Sequence, residues 1–251
     1  MAKIRNLLKQ VFARVIGKRN GDSDNLLLRG LSIEEKKILK LVDGYTMTDT
    51  SSILSLIDAT RYVIENRISG DFVECGVWRG GSMMVIASIL MYAGEDSRNL
   101  YLYDTFEGMT VPSELDVQYD GQPAGELYDK ITREEGAWCY ADIHDVARNL
   151  KATGYPENKT KLIRGEVEKT IPGTIPEKIA LLRLDTDWYS STFHELEYLY
   201  PRLVSGGVLI IDDYGHWQGA KQATDEYFSS LSERRPFLHR INYSGRLGIK
   251  P

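Results

Sequence analysis

The sequence predicts a mostly parallel, doubly wound α/β sheet that ends in an antiparallel hairpin. Short apolar runs alternate with helical stretches along a chain of 251 residues, 42% of them hydrophobic. Strands that alternate with helices pair in parallel, and strands covered by helices on both faces are apolar at nearly every position. The five runs that show this pattern are DFVEC from residue 71, NLYLYD from 99, KTKLIRG from 159, IALLRLD from 179 and GGVLIID from 206.

The first 19 residues predict a basic amphipathic helix, because six basic residues and no acidic one accompany apolar residues at positions 4, 7, 8, 11, 12, 15 and 16. Such a helix binds an anionic membrane surface or a partner, or it packs on its own domain or across a dimer. Residues 17–25 are typical of a linker. Residues 1–25 are therefore expected to precede a single domain over residues 26–251.

Three helices and a hairpin complete the predicted elements. A Ser-x-x-Glu capping box at Ser32 and Glu35 begins a helix over residues 32–43, and further helices are expected over residues 51–66 and 83–92. The last segment, PFLHRINYSGRLGIKP, has strand-like residues on both sides of a Ser-Gly turn. This pattern predicts the terminal hairpin.

Composition excludes several classes of protein. A net charge of −5 argues against a nucleic-acid-binding surface along the whole chain. Cys75 and Cys139 are isolated, so neither a disulfide framework nor a Cys-x-x-Cys metal site is expected. No apolar run reaches the ~18 residues of a membrane span, and the first 20 residues lack the features of a secretory signal. We expect a cytoplasmic protein, with residues 1–19 as a candidate contact to the inner membrane face.

The turn after the first predicted strand reads Glu74-Cys75-Gly76-Val77-Trp78-Arg79-Gly80-Gly81-Ser82. Its glycines let the backbone approach a ligand, and the following helix offers unpaired N–H groups. The pattern G-x-G-x-x-G is absent, which argues against a dinucleotide. A carboxylate at Glu74 suits a ligand with an ammonium group, although a plain strand-to-helix turn would look similar.

An acidic residue, Asp104, ends the second predicted strand. An acid at this position binds the two hydroxyls of a ribose in related sheets, and Phe106 could face an adenine ring. An exposed acid at a strand end is the simpler alternative. Together with an ammonium-binding Glu74, the pattern favours adenosine joined to an amino acid, as in S-adenosylmethionine.

Four carboxylates follow the fourth and fifth predicted strands: Asp185, Asp187, Asp212 and Asp213. Like charges this close destabilise a fold unless a cation or protons neutralise them. Ligation by oxygen alone favours Mg²⁺, Ca²⁺ or Mn²⁺ over zinc. Helix N-capping explains one or two of these acids but not four.

Aromatic residues surround these acids, namely Trp188, Tyr189, Tyr214, His216 and Trp217. Aromatic faces stack on sugar rings, but aromatic residues at strand ends serve equally often in packing. His144 could assist deprotonation of a substrate, or it is a surface residue.

In these motifs the chain resembles the macrocin O-methyltransferase family, Mg²⁺-dependent enzymes that methylate sugars of antibiotics. The resemblance runs from Tyr45-Thr46-Met47 through DFVECGVWRGGS, YLYDTFEGM, LLRLDTDWYSST and YPRLVSGGVLIIDDYG to AKQATDEY. It implies a class I, Rossmann-like methyltransferase fold, S-adenosylmethionine as donor, transfer to a sugar hydroxyl and a homo-oligomer. The acceptor would be a natural-product glycoside, a nucleotide sugar or a surface polysaccharide.

The resemblance also implies roles for individual residues. Thr46 and Met47 would cover the donor, whose methionine and adenosine parts would contact Glu74, Gly76, Arg79, Gly80, Ser82, Asp104 and Phe106. Asp185, Asp212 and Asp213 would hold Mg²⁺, and Asp187 would be the general base, although the residues alone leave open whether Asp185 or Asp187 is the base. An acceptor-binding insertion is expected around residues 110–147. A nicotinamide-dependent oxidoreductase and a non-catalytic scaffold are the alternative functions.

Overall fold

The computed structural model describes residues 28–232 and 234–251, so the predicted helix over residues 1–19 and the predicted linker over residues 17–25 lie outside the described residues. Two helices precede the sheet: α1 (Ile33–Val42) and α2 (Thr50–Glu65). The predicted capping box begins α1, since the Ser32 hydroxyl accepts a hydrogen bond from the Glu35 N–H and the Glu35 carboxylate accepts one from the Ser32 N–H. Two otherwise unpaired N–H groups are thereby satisfied.

Seven strands form one sheet in the order β3-β2-β1-β4-β5-β7-β6. They are β1 (Asp71–Cys75), β2 (Leu100–Asp104), β3 (Thr160–Arg164), β4 (Ile179–Leu184), β5 (Leu203–Ile211), β6 (His239–Arg240) and β7 (Arg246–Ile249). The first five strands pair in parallel, whereas β7 runs antiparallel to β5 and β6. The predicted doubly wound sheet and terminal hairpin are confirmed. The strand order reverses between β1 and β4, and ligands of such sheets bind beyond the carboxyl ends of the strands at that point.

Helices cover both faces of the sheet. The remaining helices are α3 (Gly81–Tyr92), α4 (Ala124–Glu135), α5 (Ile143–Lys151), α6 (Val167–Thr170), α7 (Tyr189–Leu199) and α8 (Gln218–Ser230), with 3₁₀ turns at Glu157–Lys159 and Tyr200–Arg202. Leu181 packs with α2 and α3 in one core cluster, and its neighbour Leu182 packs with α7 and α8 in the other. Burial on both faces explains why β4 is apolar at consecutive positions.

Three tryptophans form a smaller core between the segment after β2 and the beginnings of α7 and α8. The rings of Trp138, Trp188 and Trp217 meet edge to face, with centroids 5.0 to 6.2 Å apart. Asp116, which is 1% exposed, accepts a hydrogen bond from the Tyr189 N–H at the start of α7. These contacts hold residues 110–142 over the carboxyl edge of the sheet. None of the described helices is long and apolar enough to cross a membrane.

Candidate active site

A cavity opens at the carboxyl edge of β1, β2, β4 and β5. Ten of the thirteen residues predicted for the site line it. These are Thr46, Met47, Glu74, Gly76, Ser82, Asp104, Asp185, Asp187, Asp212 and Asp213. Because parallel strands end at the same edge of a sheet, residues far apart in the chain, such as Glu74 and Asp213, meet here.

The turn after β1 lies directly against the turn after β4. The Asp185 N–H donates to the Cys75 carbonyl at 2.9 Å, and Gly76 has a φ of +81°. A Cβ atom at Gly76 would lie 1.9 Å from the Asp185 carbonyl oxygen. Only glycine combines this left-handed conformation with so close an approach, so Gly76 sets the spacing between the two turns.

The segment that carries Thr46 and Met47 is attached to the start of α3. The Gly81 N–H donates to the Tyr45 carbonyl at 2.9 Å. A Cβ atom at Gly81 would lie 2.4 Å from the same oxygen. This close contact places Thr46 and Met47 over residues 76–80, which connect β1 to α3 and are here called the glycine turn.

Asp104 organises the glycine turn as well as lining the cavity. Its Oδ2 accepts hydrogen bonds from the Val77 and Trp78 N–H groups at 2.7 and 2.9 Å, and its Oδ1 accepts one from the Phe106 N–H at 2.7 Å. Burial raises the pKa of Asp104, while these three N–H groups act in the opposite direction. The Thr105 hydroxyl is a fourth donor, 3.5 Å from Oδ1, at the long limit of a hydrogen bond. A ligand hydroxyl that binds Asp104 would replace this weak contact.

Arg183 lies beneath the carboxylates and is absent from the residues predicted for the site. Its side chain is 3% exposed, and its Nη1 donates to Glu74 Oε1 and Asp185 Oδ2, both at 2.7 Å. Its Nη2 lies 3.0 Å from Asp212 Oδ1. A charged residue inside the otherwise apolar run IALLRLD was the signal for such an internal ion pair.

Glu74 is 1% exposed and makes its ion pair with Oε1, while Oε2 has no partner among the described groups. Burial raises the pKa of Glu74 to about 8, although the positive charge of Arg183 opposes this effect. The carboxyl group thus has one oxygen committed to the protein and one available to a ligand.

Three carboxylates are close enough to share one cation. One oxygen from each of Asp185, Asp212 and Asp213 lies within 4.8 Å of the others. Burial raises the pKa of Asp212 to about 7 and raises that of Asp213 well above its usual value, with the neighbouring carboxylates acting in the same direction. Asp213 Oδ2 is buried without a hydrogen-bond partner. An all-oxygen donor set with an unsatisfied oxygen fits a hard divalent cation.

Asp187 lies beside this group in a left-handed conformation, with a φ of +67°. Burial and the charge of Asp185 raise its pKa to about 7, and hydrogen bonds with Asp213 and Trp217 oppose the shift. A hydrogen bond of 3.0 Å from the Thr186 hydroxyl to Glu195, which is fully buried, holds the turn after β4 in place. Glu195 is also absent from the sequence prediction.

Three predicted donor-binding residues lie outside the cavity lining. Arg79 stacks on the Tyr45 ring and forms an ion pair with Asp145 at 2.9 Å. Gly80 caps α3 with a φ of +86°, and Phe106 is 3% exposed within the core. These three residues therefore support the glycine turn by their packing and do not line the cavity.

The aromatic residues divide between packing and the cavity rim. Trp188 and Trp217 are 2% and 3% exposed and belong to the tryptophan core, although both touch the cavity. His216 lines the cavity and accepts or donates a hydrogen bond of 3.1 Å with the Tyr243 hydroxyl. His144 is exposed on α5, away from the cavity lining.

Comparisons with known proteins agree with this arrangement. The chain is 32% identical over 206 residues to 8-demethyl-8-(2,3-dimethoxy-alpha-L-rhamnosyl)-tetracenomycin-C 4'-O-methyltransferase of Streptomyces olivaceus, covering 82% of this chain and 70% of that protein. It is 31% identical over 185 residues to demethyldecarbamoylnovobiocin O-methyltransferase of Streptomyces niveus, covering 74% and 68%. The solved structure of the O-methyltransferase NovP superposes with a TM-score of 0.72 at 27% identity and covers 82% of both chains.

The sequence model of the family described as Macrocin-O-methyltransferase (TylF) matches residues 39–245. That range includes every strand from β1 to β6 and all the carboxylates of the cavity. The resemblance is confirmed. It argues against the two alternative functions, a nicotinamide-dependent oxidoreductase and a non-catalytic scaffold. The chain therefore belongs to the macrocin O-methyltransferase family and is an S-adenosylmethionine-dependent O-methyltransferase.

Proposed function

We propose that the enzyme transfers a methyl group to a hydroxyl of a sugar and that a divalent cation, Mg²⁺ in the first instance, supports the reaction. The observation that carries this proposal is the group of Asp185, Asp212 and Asp213, whose oxygens lie within 4.8 Å of one another beside the glycine turn. The names of the relatives support a sugar acceptor, since one of them is a mycinamicin III 3''-O-methyltransferase from Micromonospora griseorubida.

The donor would bind between the glycine turn and the segment of Thr46 and Met47. Glu74 Oε2 would accept a hydrogen bond from the donor's ammonium group, and Asp104 Oδ1 would bind a ribose hydroxyl in place of its long contact with the Thr105 hydroxyl. Arg79, Gly80 and Phe106 would act through the shape of the turn. Positioning of this kind aligns the sulfonium methyl group with the attacking oxygen.

Asp185, Asp212 and Asp213 would hold the cation, and their all-oxygen chemistry fits it. When bound, a divalent cation lowers the pKa of a coordinated alcohol. The buried Asp213 Oδ2, which has no partner, supports this assignment independently of any relative. Arg183 would keep Asp185 and Asp212 in place by its contacts at 2.7 and 3.0 Å.

Asp187 would accept the proton from the acceptor hydroxyl as its oxygen attacks the methyl carbon. The new carbon–oxygen bond forms while the carbon–sulfur bond breaks, and S-adenosylhomocysteine and the methyl ether are released. Asp187 lies two residues after Asp185 and forms a hydrogen bond with Asp213, which supports its role as the proton acceptor beside the proposed cation site. Asp185 faces Arg183 instead, which favours Asp187 as the base.

Residues 110–147 would form the acceptor-binding insertion of the single domain that begins at residue 26. Several of them line the cavity, including Thr110, Gln118, Leu127, Trp138 and Cys139. The tryptophan core holds this segment over the carboxylates, where it would exclude water. A homo-oligomer, a cytoplasmic location and a membrane contact through residues 1–19 remain predictions.

Calorimetric titration with S-adenosylhomocysteine, in EDTA and again with Mg²⁺, tests the donor site, with NAD as the control nucleotide. We expect micromolar binding of S-adenosylhomocysteine and none of NAD. Asp212→Ala is expected to abolish turnover and to retain donor binding. The matched control is Asp96→Ala, which removes an exposed carboxylate at the opposite edge of the sheet. Full activity of Asp212→Ala in excess EDTA would contradict the cation proposal.

A further inference from the structure

A second depression, here called the outer groove, adjoins the cavity beyond the carboxylates. Its polar and aromatic lining includes Tyr119, Tyr214, Lys221, Arg240 and Arg246. It shares His216, Trp217 and Tyr243 with the main cavity. A ligand whose reactive hydroxyl reaches the carboxylates can therefore extend into the outer groove.

Two arginines lie opposite each other in this groove. Arg240 pairs with Arg246 across β6 and β7, and Arg246 pairs with Ile211 across β7 and β5. Ile211 directly precedes Asp212. Since neighbouring strands are about 4.8 Å apart, Arg240 lies about two strand spacings, or ~10 Å, from the β5 tip. The arginines thus lie beside the proposed cation site but do not contact it.

Arg246 is held rigidly. It is 8% exposed, its Nη1 donates to the Gly245 carbonyl at 2.9 Å, and its guanidinium lies 4.7 Å from the centroid of the Tyr214 ring. Arg240 is exposed and faces the groove. Burial and the positive charge of Arg240 lower the pKa of Arg246.

The acids of the groove are engaged elsewhere. Asp225 accepts hydrogen bonds from Lys221 and from the Tyr214 hydroxyl. Glu226 accepts hydrogen bonds from the Tyr189 hydroxyl and from Gln222. Within residues 28–232 and 234–251, no ion pair joins a carboxylate to Arg240 or Arg246. Like charges directly across a strand pair destabilise a sheet, so an uncompensated arginine pair calls for an anionic partner.

We propose that the outer groove binds a phosphate group attached to the acceptor sugar. The planar guanidinium groups of Arg240 and Arg246 match phosphate oxygens, and the exposed ring of Tyr119 offers a face for the sugar or a base. The acceptor is then a nucleoside diphosphate sugar or a sugar phosphate, in contrast to a neutral glycoside. This inference rests on the proposed function, since it assigns the acceptor of the same site.

The test is calorimetric titration of the full chain, saturated with S-adenosylhomocysteine in Mg²⁺, with three probes: UDP-glucose, glucose 1-phosphate and methyl α-glucoside. We expect the phosphorylated probes to bind more tightly than the glycoside. Arg240→Gln should weaken their binding about tenfold, as expected for loss of a charge-assisted hydrogen bond. Arg234→Gln removes the same charge from an exposed position outside the groove and should leave binding unchanged.

Each result bears on the proposal. Tighter binding of UDP-glucose than of glucose 1-phosphate would assign a nucleoside diphosphate sugar, and equal binding would assign a sugar phosphate. The proposal is overturned if the glycoside binds as tightly as both phosphorylated probes, if neither of these binds, or if Arg240→Gln changes nothing. Failure of S-adenosylhomocysteine itself to bind would refute the proposed function instead.

Discussion

Replacement of Arg183 by methionine would remove the guanidinium group that contacts Glu74, Asp185 and Asp212. The pair with Glu74 is almost fully buried, at 3% and 1% exposure, whereas Asp185 and Asp212 are 26% and 15% exposed. Removal of one partner from a buried ion pair costs about 3–5 kcal/mol, because the remaining charge is left unpaired. The partly exposed contacts add less. We therefore expect the free energy of unfolding to fall by about 3–5 kcal/mol in EDTA above about pH 8, where the wild-type Glu74 is ionised.

Urea unfolding followed by tryptophan fluorescence measures this loss. Arg148→Met, which removes an arginine whose side chain is 69% exposed, is the matched control and should change stability by less than about 0.5 kcal/mol. Arg183→Lys should recover part of the loss, because lysine keeps the charge without the planar fork. A loss below about 1 kcal/mol for Arg183→Met would refute the assignment of Arg183 as the internal counter-ion.

The same variant has a defined pH dependence. Burial raises the pKa of Glu74 in the folded protein, so folding takes up a proton between the unfolded value near 4.5 and the folded value near 8. Stability from this group is therefore lost as the pH rises through that window. Removal of Arg183 raises the folded pKa further, so Glu74 stays protonated to a higher pH in the variant, and the deficit of the variant should widen above about pH 8, where the wild-type Glu74 ionises. A deficit independent of pH would contradict this reasoning.

Three further predictions test other parts of the site. Gly76→Ala should weaken S-adenosylhomocysteine binding at least tenfold by calorimetry, because its Cβ would lie 1.9 Å from the Asp185 carbonyl, whereas Gly94→Ala, with a similar φ of +70° and open space, isolates the backbone cost of about 1–2 kcal/mol. Equal binding by the two variants would exclude the clash. Burial lowers the pKa of His216 to about 4, so the unfolding free energy should fall by about 3 kcal/mol as the pH drops from 6.5 to 4, and His216→Asn should reduce that slope in acid titrations of stability. An identical slope in the variant would show that other groups cause the acid loss. Deletion of residues 1–20 should lower the number of subunits in a homo-oligomer, measured by light scattering, if the predicted amphipathic helix forms its interface. An unchanged number of subunits would show that these residues do not form that interface.

Much of the architecture could be predicted from local patterns. The apolar run at residues 179–184 predicts a strand buried on both faces, and Leu181 and Leu182 do pack into opposite cores. The acids after β4 and β5 could be expected to meet, because parallel neighbours end at one edge, and Leu184 indeed pairs with Ile211. The exposure of His144 matches the simpler of its two alternatives.

Side-chain partners were harder to predict. Glu74 suggested a site for a ligand's ammonium group, but the structure gives one of its oxygens to Arg183, which lies 109 positions away in the chain. Arg79 belongs to the predicted turn after β1 and Phe106 follows β2, yet neither residue lines the cavity, and Trp78 and Phe106 both have positive φ values. The residue types at these two positions do not predict a positive φ, because positive φ is uncommon outside glycine.

The sequence by itself determined the sheet, the edge at which its polar residues gather and the chemical types gathered there, because hydrophobic periodicity and the direction of parallel strands are local properties. Only the tertiary structure decided that Arg183 lies beneath three carboxylates and that Arg240 faces Arg246 beside them. These contacts join residues from different strands. Their existence depends on the register of the sheet and on burial, which no single segment of the chain encodes.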